Sequence, residues 1–257
     1  MQLGKAGRRT KDMSLEMYKS ESATMDGRVF AFPEIGTAGG GDITRFEHGP
    51  QYAFNYSVLK RGLDILLVLL ASPILLPLVG IIALAVRISS PGPIFFSHRR
   101  IRAQGGFFSM WKFRTMCIDS AELLEAYLHE NPDANAEWRK SRKLKNDPRV
   151  TRVGNFLRRT SLDELPQLWN VFSGSMSLVG PRPIVAAEVE KYGKFFGDYC
   201  LVKPGITGLW QISGRSRTTY QQRIQLDSRY VHCWSFLGDL KILFKTFSTV
   251  MHQDGAY

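Results

Sequence analysis

The sequence predicts an α+β protein that is mainly helical and attached to one face of a membrane, a monotopic membrane protein. Residues 65–86 contain no charged side chain, and about 20 helical residues span the hydrocarbon core of a bilayer. Two apolar runs between residues 94 and 116 flank a pair of glycines, which is typical of a small β-hairpin. Apolar side chains recur at helical spacing near the C-terminus, which indicates an amphipathic helix in the membrane interface.

The excess of positive charge lies in the body of the chain. The protein has 257 residues and a formal net charge of +11. Residues 1–50 carry seven basic and seven acidic side chains among many small polar residues, which predicts a disordered cytoplasmic tail. Residues 51–257 carry 27 Lys and Arg against 16 Asp and Glu, and they are predicted to form one membrane-associated domain. Such a domain favours anionic partners: phosphorylated ligands, nucleic acid or anionic lipid.

The apolar segment is predicted to be a broken helix over about residues 62–88. Ser72–Pro73 lies near its middle, and Pro77 follows four residues later. Each proline removes one helical hydrogen bond and tends to bend the helix. The hydroxyl of Ser72 is expected to bond a backbone group that the bend frees.

Both ends of this segment are basic, because Lys60–Arg61 precedes it and Arg87 follows it. Positive residues prefer the cytoplasmic side, so a straight helix would place one basic cluster outside. A helix that bends at the Ser72–Pro73 step would enter and leave by the same face, which is the definition of a re-entrant helix. An ordinary kinked transmembrane helix is the alternative.

A β-hairpin is predicted next, with strands at residues 94–101 and 107–116 joined around Gly105–Gly106. The second strand carries Lys112 and Arg114, which are either solvated or face a phosphate.

Two helix starts are predicted downstream of the hairpin. Asp119 or Ser120 caps one helix, and Thr151 caps a short helix that delivers Arg158. Between them, the basic linker of residues 139–152 is either a solvated face or a contact with lipid headgroups.

An acidic pair, Asp163–Glu164, lies at a predicted helix start. Ser161 followed three residues later by Glu164 fits a capping box that begins the helix. Pro166 leaves the boundary open, because it removes an early hydrogen bond only if the helix begins at Ser161. In one interpretation Ser161 and Glu164 only cap the helix, and the charge of Asp163 only interacts favourably with the positive end of the helix dipole. Four apolar residues continue the helical spacing: Leu165, Leu168, Trp169 and Phe172.

The other interpretation of the acidic pair is a site for a metal ion and phosphates. Arg158 and Arg159 precede the pair, and Arg182 follows it between Pro181 and Pro183. Carboxylates and guanidinium groups this close in sequence suit both ligands.

Two features close the chain. The turns at residues 202–208 and 214–217 contain glycines that would let the backbone approach an anionic ligand, or they are ordinary surface loops. The final helix, residues 236–251, has one apolar face and lies either in the membrane interface or in a protein core.

The order of these motifs resembles the bacterial sugar transferase family, the monotopic phosphoglycosyl transferases that start lipid-linked glycan assembly. The resemblance covers about residues 56–250 and is greatest to the short galactosyl- or glucosyl-1-phosphate transferases of exopolysaccharide synthesis. Members transfer a sugar phosphate from a UDP-sugar to a polyprenyl phosphate and release UMP. The matching stretches are Lys60–Arg61 with Asp64, Ser72–Pro73, Ser90–Pro93, Lys112–Met116, Asp147–Arg149, Leu157–Arg158, Ser161–Gln167, Met176–Pro183 and Lys203–Trp210.

The resemblance implies that the acidic pair is catalytic. Asp163 would be the nucleophile that forms an aspartyl phosphosugar, and Glu164 would hold Mg²⁺ as the cofactor. The membrane helix of the family is re-entrant and breaks at its Ser–Pro step, which agrees with the charge argument.

The resemblance also implies a set of substrate-binding residues. Arg158 and Arg182 would contact phosphates, and Pro181–Arg182–Pro183 would help to shape the uridine site. Lys112 and Arg114 on the hairpin match a family motif. The set is Lys112, Arg114, Arg158, Pro181, Arg182 and Pro183.

The expected partners are a UDP-sugar, with galactose or glucose as the sugar, undecaprenyl phosphate and an anionic lipid membrane. Nucleic acid is not expected, and a homo-oligomer is left open. The expected location is the bacterial inner membrane, with the catalytic domain on its cytoplasmic face. Three scattered cysteines match no metal or redox spacing and agree with a reduced compartment.

Three alternatives are weighed against this function. A membrane-tethered nucleic-acid-binding protein would also be basic, but the basic residues here alternate with Gly and Pro motifs rather than with stacking aromatics. A catalytically inactive scaffold for other glycan enzymes would not need the acidic pair. Within the enzyme class, direct attack by the lipid phosphate would replace the covalent intermediate.

Overall fold

The computed structural model describes residues 54–141, 143–214 and 218–251. The predicted tail of residues 1–50 lies outside these residues, as does the 215–217 part of the second glycine-rich turn. The described chain is mainly helical with two small two-stranded sheets, which confirms the predicted α+β class.

Helix α1, Phe54–Ser89, contains the whole apolar segment. Among the described residues, it is the one helix long and apolar enough to cross a membrane. Helical geometry continues through Ser72 and Pro73, so the predicted break is not an interruption of the helix, and the re-entrant path stays a prediction. Pro73 has no N–H for the carbonyl of Leu69, and the hydroxyl of Ser72 donates to that carbonyl over 2.8 Å. The predicted bond of Ser72 to a freed backbone group is therefore confirmed.

The predicted β-hairpin is confirmed. Strand β1, Phe95–Ile101, pairs antiparallel with β2, Phe107–Phe113, through a short 3₁₀ turn at Ala103–Gly105. A second sheet, which the sequence did not predict, pairs β3, Ser177–Val179, parallel with β4, Gly205–Thr207.

The remaining helices are shorter than α1, and 3₁₀ turns at Leu162–Glu164, Ala186–Glu188 and Gly193–Phe195 lie among them. In chain order the helices are α2 (Ser120–Glu130), α3 (Pro132–Ser141), α4 (Arg152–Thr160), α5 (Gln167–Ser173), α6 (Val189–Tyr192), α7 (Phe196–Leu201), α8 (Leu209–Ile212), α9 (Tyr220–His232) and α10 (Phe236–Met251).

Several predicted helix boundaries are confirmed. The hydroxyl of Thr151 accepts the N–H of Gly154 over 2.9 Å and caps α4, and α10 has the predicted limits. Helix α2 begins at Ser120 after Asp119, although the Asp119 side chain makes no capping bond. The predicted linker is shorter than expected, because α3 extends through Ser141.

The predicted capping box at Ser161 is wrong. Ser161 has a left-handed backbone with φ of 57°, and its N–H bonds the carbonyl of Arg158, so this residue ends α4 instead of beginning a helix. Its side chain makes no capping bond. The next α-helix begins after Pro166, where the proline costs no helical hydrogen bond.

Both halves of α1 pack against one folded domain. Val68 packs against the apolar cluster that contains Met110 of β2. Val86 lies in the cluster that contains Phe113 of the same strand. The hairpin therefore lies beside α1 and links it to the other described elements.

Candidate active site

The acidic pair lies in the 3₁₀ turn between α4 and α5. Ser161, directly before the turn, adopts a backbone conformation that costs a non-glycine residue roughly 1–2 kcal/mol. The left-handed backbone of Ser161 ends α4, and the 3₁₀ turn that follows lies against β2. Asp163 is buried, with its side chain 12% exposed, whereas the side chain of Glu164 is 29% exposed.

Lys112 of β2 reaches both acids. Its Nζ lies 2.7 Å from Glu164 Oε1 and 3.3 Å from Asp163 Oδ2. The structure therefore brings Lys112, Asp163 and Glu164 together, although 51 residues separate Lys112 from Asp163 in the sequence.

The two carboxyl groups have opposite pKa shifts. Burial raises the pKa of Asp163, and the charge of Glu164 adds to this effect while Lys112 opposes it. Burial also acts to raise the pKa of Glu164, but the charges of Lys112 and Arg182 outweigh it and hold that pKa below its usual value. Glu164 is thus the more easily ionised member of the pair.

Arg158 lies on the Asp163 side of the site. Its Nε donates to the hydroxyl of Thr115 over 2.9 Å, which orients the guanidinium group. Burial lowers the pKa of Arg158, and the charge of Asp163 acts in the opposite direction, so the two groups interact.

Arg182 lies on the Glu164 side of the site. Its guanidinium carbon lies 5.5 Å from the ring centre of Trp210, in a cation–π contact. The charge of Arg182 helps to lower the pKa of Glu164. Arg182 therefore stands close to the acidic pair without forming an ion pair with it.

Pro181 and Pro183 are buried and fix the backbone on each side of Arg182. The carbonyl of Pro181 accepts the N–H of Gly205 over 2.8 Å, next to the β3–β4 sheet. A Cβ on Gly205 would lie 2.1 Å from the nitrogen of Gly180, so this close approach requires glycine. The role of the two prolines in a uridine site stays a prediction.

Arg114 makes its contacts elsewhere. Its guanidinium donates to the carbonyls of Ser90, over 2.7 Å, and of Pro91, and so fastens the turn after α1 to the hairpin. Gly92 in that turn has φ of +115°, and a Cβ there would collide with Arg114. These contacts are structural, and substrate binding by Arg114 stays a prediction.

The donor set of the site fits Mg²⁺. Within the described residues, no three or more His, Cys, Asp and Glu side chains form a metal-binding group. Mg²⁺ is commonly held by one or two carboxylates together with waters and substrate phosphates, and Asp163 and Glu164 offer such carboxylates. Metal binding by Glu164 stays a prediction.

Comparison with known proteins decides the family. A sequence profile for the bacterial sugar transferases matches residues 55–253, which include every predicted site residue. The chain belongs to the bacterial sugar transferase family. The resemblance read from the motifs is therefore confirmed.

Three relatives illustrate this bacterial sugar transferase's similarity to known proteins. It is 49% identical over 199 residues to a UDP-galactose-lipid carrier transferase of Erwinia amylovora. The aligned residues make up 77% of this chain and 42% of that relative. It is 48% identical over 198 residues to the exopolysaccharide production protein ExoY of Rhizobium meliloti, with 77% and 88% covered. It is 44% identical over 197 residues to a UDP-glucose:undecaprenyl-phosphate glucose-1-phosphate transferase of Escherichia coli, with 74% and 39% covered. The chain thus spans less than half of the first and third relatives and most of the second.

Sequence reasoning missed five side chains next to Arg182 in this sugar transferase. They include a pair on α9 at i, i+4 spacing, a pattern that the sequence displays. The others come from three distant segments, and of these only Trp210 lies in a stretch that matches the family, Lys203–Trp210. The five are Arg100, Glu188, Trp210, Arg223 and Asp227.

Proposed function

We propose that this protein transfers a sugar 1-phosphate from a UDP-sugar to undecaprenyl phosphate and releases UMP, as the first step of exopolysaccharide assembly. The observation that carries the proposal is the ion-paired contact of Lys112 with the adjacent acids Asp163 and Glu164. Relatives named for galactose and glucose carriers and for exopolysaccharide production support a hexose as the sugar.

The proposed reaction has two displacements at one phosphorus. A carboxylate oxygen of Asp163 attacks the sugar-bearing phosphorus, the bond from that phosphorus to the bridging oxygen breaks, and UMP leaves with the bridging oxygen and its electron pair. A phosphate oxygen of undecaprenyl phosphate then attacks the same phosphorus. The bond to Asp163 breaks, the free carboxylate returns, and the product is a lipid diphosphate sugar.

The cationic side chains lower the repulsion between the diphosphate and the carboxylate. Lys112 already balances the acidic pair, while Arg158 and Arg182 lie on its two sides to spread the charge of the transferring group. When bound to Glu164, Mg²⁺ would neutralise further charge on the diphosphate.

The attachment of α1 supports a re-entrant path. Asp64, near its start, accepts the N–H of Leu178 over 3.0 Å, whereas Val86, near its end, packs with Phe113. In a straight helix these two positions lie about 33 Å apart, yet both contact the same domain. A bend at Ser72–Pro73 shortens that span and keeps both ends on the cytoplasmic face of the inner membrane.

Helix α10 supports a second membrane contact. It packs inward through Asp239 and Ile242, while Leu237, Phe244 and Phe247 are 67%, 75% and 69% exposed. The exposed apolar side chains border two exposed lysines, Lys241 and Lys245. Large apolar groups beside basic ones are typical of a helix in the interface of an anionic membrane.

A panel assay tests this function. The purified protein in lipid nanodiscs receives each UDP-sugar in turn with undecaprenyl phosphate and Mg²⁺, and the release of UMP is measured. We expect release with UDP-galactose or UDP-glucose, dependent on both the lipid and the metal. Absence of UMP with every sugar would refute the proposal, and salt-sensitive binding of DNA or RNA in its place would favour the nucleic-acid-binding alternative.

A further inference from the structure

A partly buried charged cluster includes Arg182, and its other members have no role in the reaction as described so far. It contains three guanidinium groups and two carboxylates, and two of the guanidinium groups, those of Arg182 and Arg223, lie over the indole of Trp210. The five charged members are Arg100 on β1, Arg182, Glu188, and Arg223 with Asp227 on α9.

The carboxylates of this cluster neutralise its arginines incompletely. Arg223 lies 3.6 Å from Glu188 and 3.8 Å from Asp227, and Arg100 lies 3.9 Å from Glu188. All three distances exceed the usual length of a charged hydrogen bond. The carboxylates have closer donors, because Glu188 accepts the N–H of Val185 over 2.9 Å and Asp227 accepts the hydroxyl of Tyr192 over 2.7 Å.

One nitrogen of Arg100 donates to the carbonyl of Pro183 over 3.3 Å, but several other guanidinium nitrogens of the cluster lack acceptors. In the part of the chain that the structure describes, Nε of Arg100 and both Nε and Nη2 of Arg223 are buried without a hydrogen-bond partner, and the side chain of Arg223 is only 10% exposed. Within the described residues, Arg182 forms no hydrogen bond or ion pair and contacts the ring of Trp210. Buried charged donors without acceptors are costly, so the cluster is short of an anion.

Arg182 connects this cluster to the catalytic pair. Burial lowers the pKa of Arg100, and the nearby charge of Arg182 lowers it further. The same charge helps to lower the pKa of Glu164. Arg100 also donates to the carbonyl of Pro183, the residue after Arg182, so an anion between the two guanidinium groups would lie near the acids.

We infer that Arg100 joins Arg182, which is already expected to contact phosphates, in binding the phosphate of the departing UMP, and that Arg223 positions the two through Glu188 and Trp210. This inference rests on the proposed function, in which that phosphate gains negative charge when its bond to the sugar-bearing phosphorus breaks. Guanidinium groups suit the task because each offers paired N–H donors to phosphate oxygens. Stabilising the leaving group lowers the barrier of the first displacement.

The test compares the affinities of the full chain, in nanodiscs with Mg²⁺, for UMP and for uridine, which lacks the phosphate. The wild type is expected to bind UMP at least tenfold more tightly. Arg100→Met is expected to lower UMP affinity about tenfold and to leave uridine affinity unchanged. Arg99→Met, one residue away on the opposite face of β1, is expected to change neither, and Arg100→Lys is expected to retain part of the preference.

The outcomes separate the inference from the function on which it rests. Equal losses of UMP and uridine affinity in Arg100→Met, or no loss, would overturn the subsite. Arg100→Lys gives the same comparison if the methionine variant does not fold. A wild type that binds UMP and uridine equally would also overturn the subsite, whereas the absence of UMP release with every UDP-sugar would overturn the proposed function itself.

Discussion

Lys112 donates a hydrogen bond to Glu164 over 2.7 Å and is also within ion-pair distance of the adjacent Asp163. One ammonium group on β2 thus serves two neighbouring carboxylates in a turn after α4. The contact joins the hairpin, which lies beside α1, to the turn that carries the proposed nucleophile. Because Asp163 is buried, the charge of Lys112 favours its ionised form against desolvation.

The first prediction is a pH shift in Lys112→Met. Burial raises the pKa of Asp163, and Lys112 is the main group that opposes this rise. The ionised carboxylate is the active form, so kcat/KM is lost as the pH falls through that pKa. Removal of the lysine raises the pKa further, and the acid limb of the profile is expected to move to higher pH. UMP release measured across pH checks this, with the exposed Lys191→Met as control; an unmoved limb would contradict it.

The second prediction concerns the hydroxyl of Thr115, which accepts a hydrogen bond from Arg158. Thr115→Val removes the acceptor that orients the guanidinium group, a loss of about 1.5 kcal/mol that corresponds to roughly tenfold in kcat/KM. The control is Thr160→Val on α4, where the hydroxyl donates to the carbonyl of Phe156. Equal rates for the two variants and the wild type would show that this bond does not matter for turnover.

The third prediction concerns the buried ion pair between Lys60 and Asp239, which joins α1 to α10 over 2.6 Å. Lys60→Met leaves a buried carboxylate without its cation and is expected to cost about 3–5 kcal/mol. The midpoint of thermal unfolding in nanodiscs should fall, and Asp239→Asn added to the same chain should restore part of the loss. Lys241→Met, on the exposed side of α10, serves as the control. A single variant that unfolds at the wild-type temperature would argue against this pair as an anchor.

The fourth prediction concerns the path of α1. In a chain whose native cysteines are replaced by serine, Gln51→Cys and Arg102→Cys lie on opposite sides of the apolar segment. A re-entrant helix predicts that a membrane-impermeant maleimide labels both from the cytoplasmic side. Labelling of the two positions from opposite sides would establish a transmembrane span.

Local patterns in the sequence predicted the elements whose boundaries depend on neighbouring residues. The hairpin around Gly105–Gly106, the cap at Thr151 and the limits of α10 each follow from turn, capping or periodicity rules. Ser161 satisfies a capping pattern through its spacing to Glu164, whereas its left-handed backbone and its N–H bond to Arg158 make it the end of α4. Local spacing does not determine which of these two roles a serine takes.

The site was predictable where its residues share a motif and unpredictable where they come from distant segments. Asp163 and Glu164 are adjacent, so the family motif places them together. Arg100 and Arg223 meet beside Arg182 only through the tertiary fold. A shared motif does not ensure a shared site either. Arg114 is close to Lys112 in sequence, yet its side chain bonds the turn that follows α1.

The most direct test of the account is whether Asp163 becomes covalently modified. Wild-type protein is mixed with its UDP-sugar and Mg²⁺ without the lipid, quenched, and measured by intact-protein mass spectrometry with peptide mapping. The account predicts a gain of one hexose phosphate on Asp163 with release of one UMP per protein, and neither event in Asp163→Asn, which still folds in the membrane. Normal UMP turnover by Asp163→Asn would contradict the account.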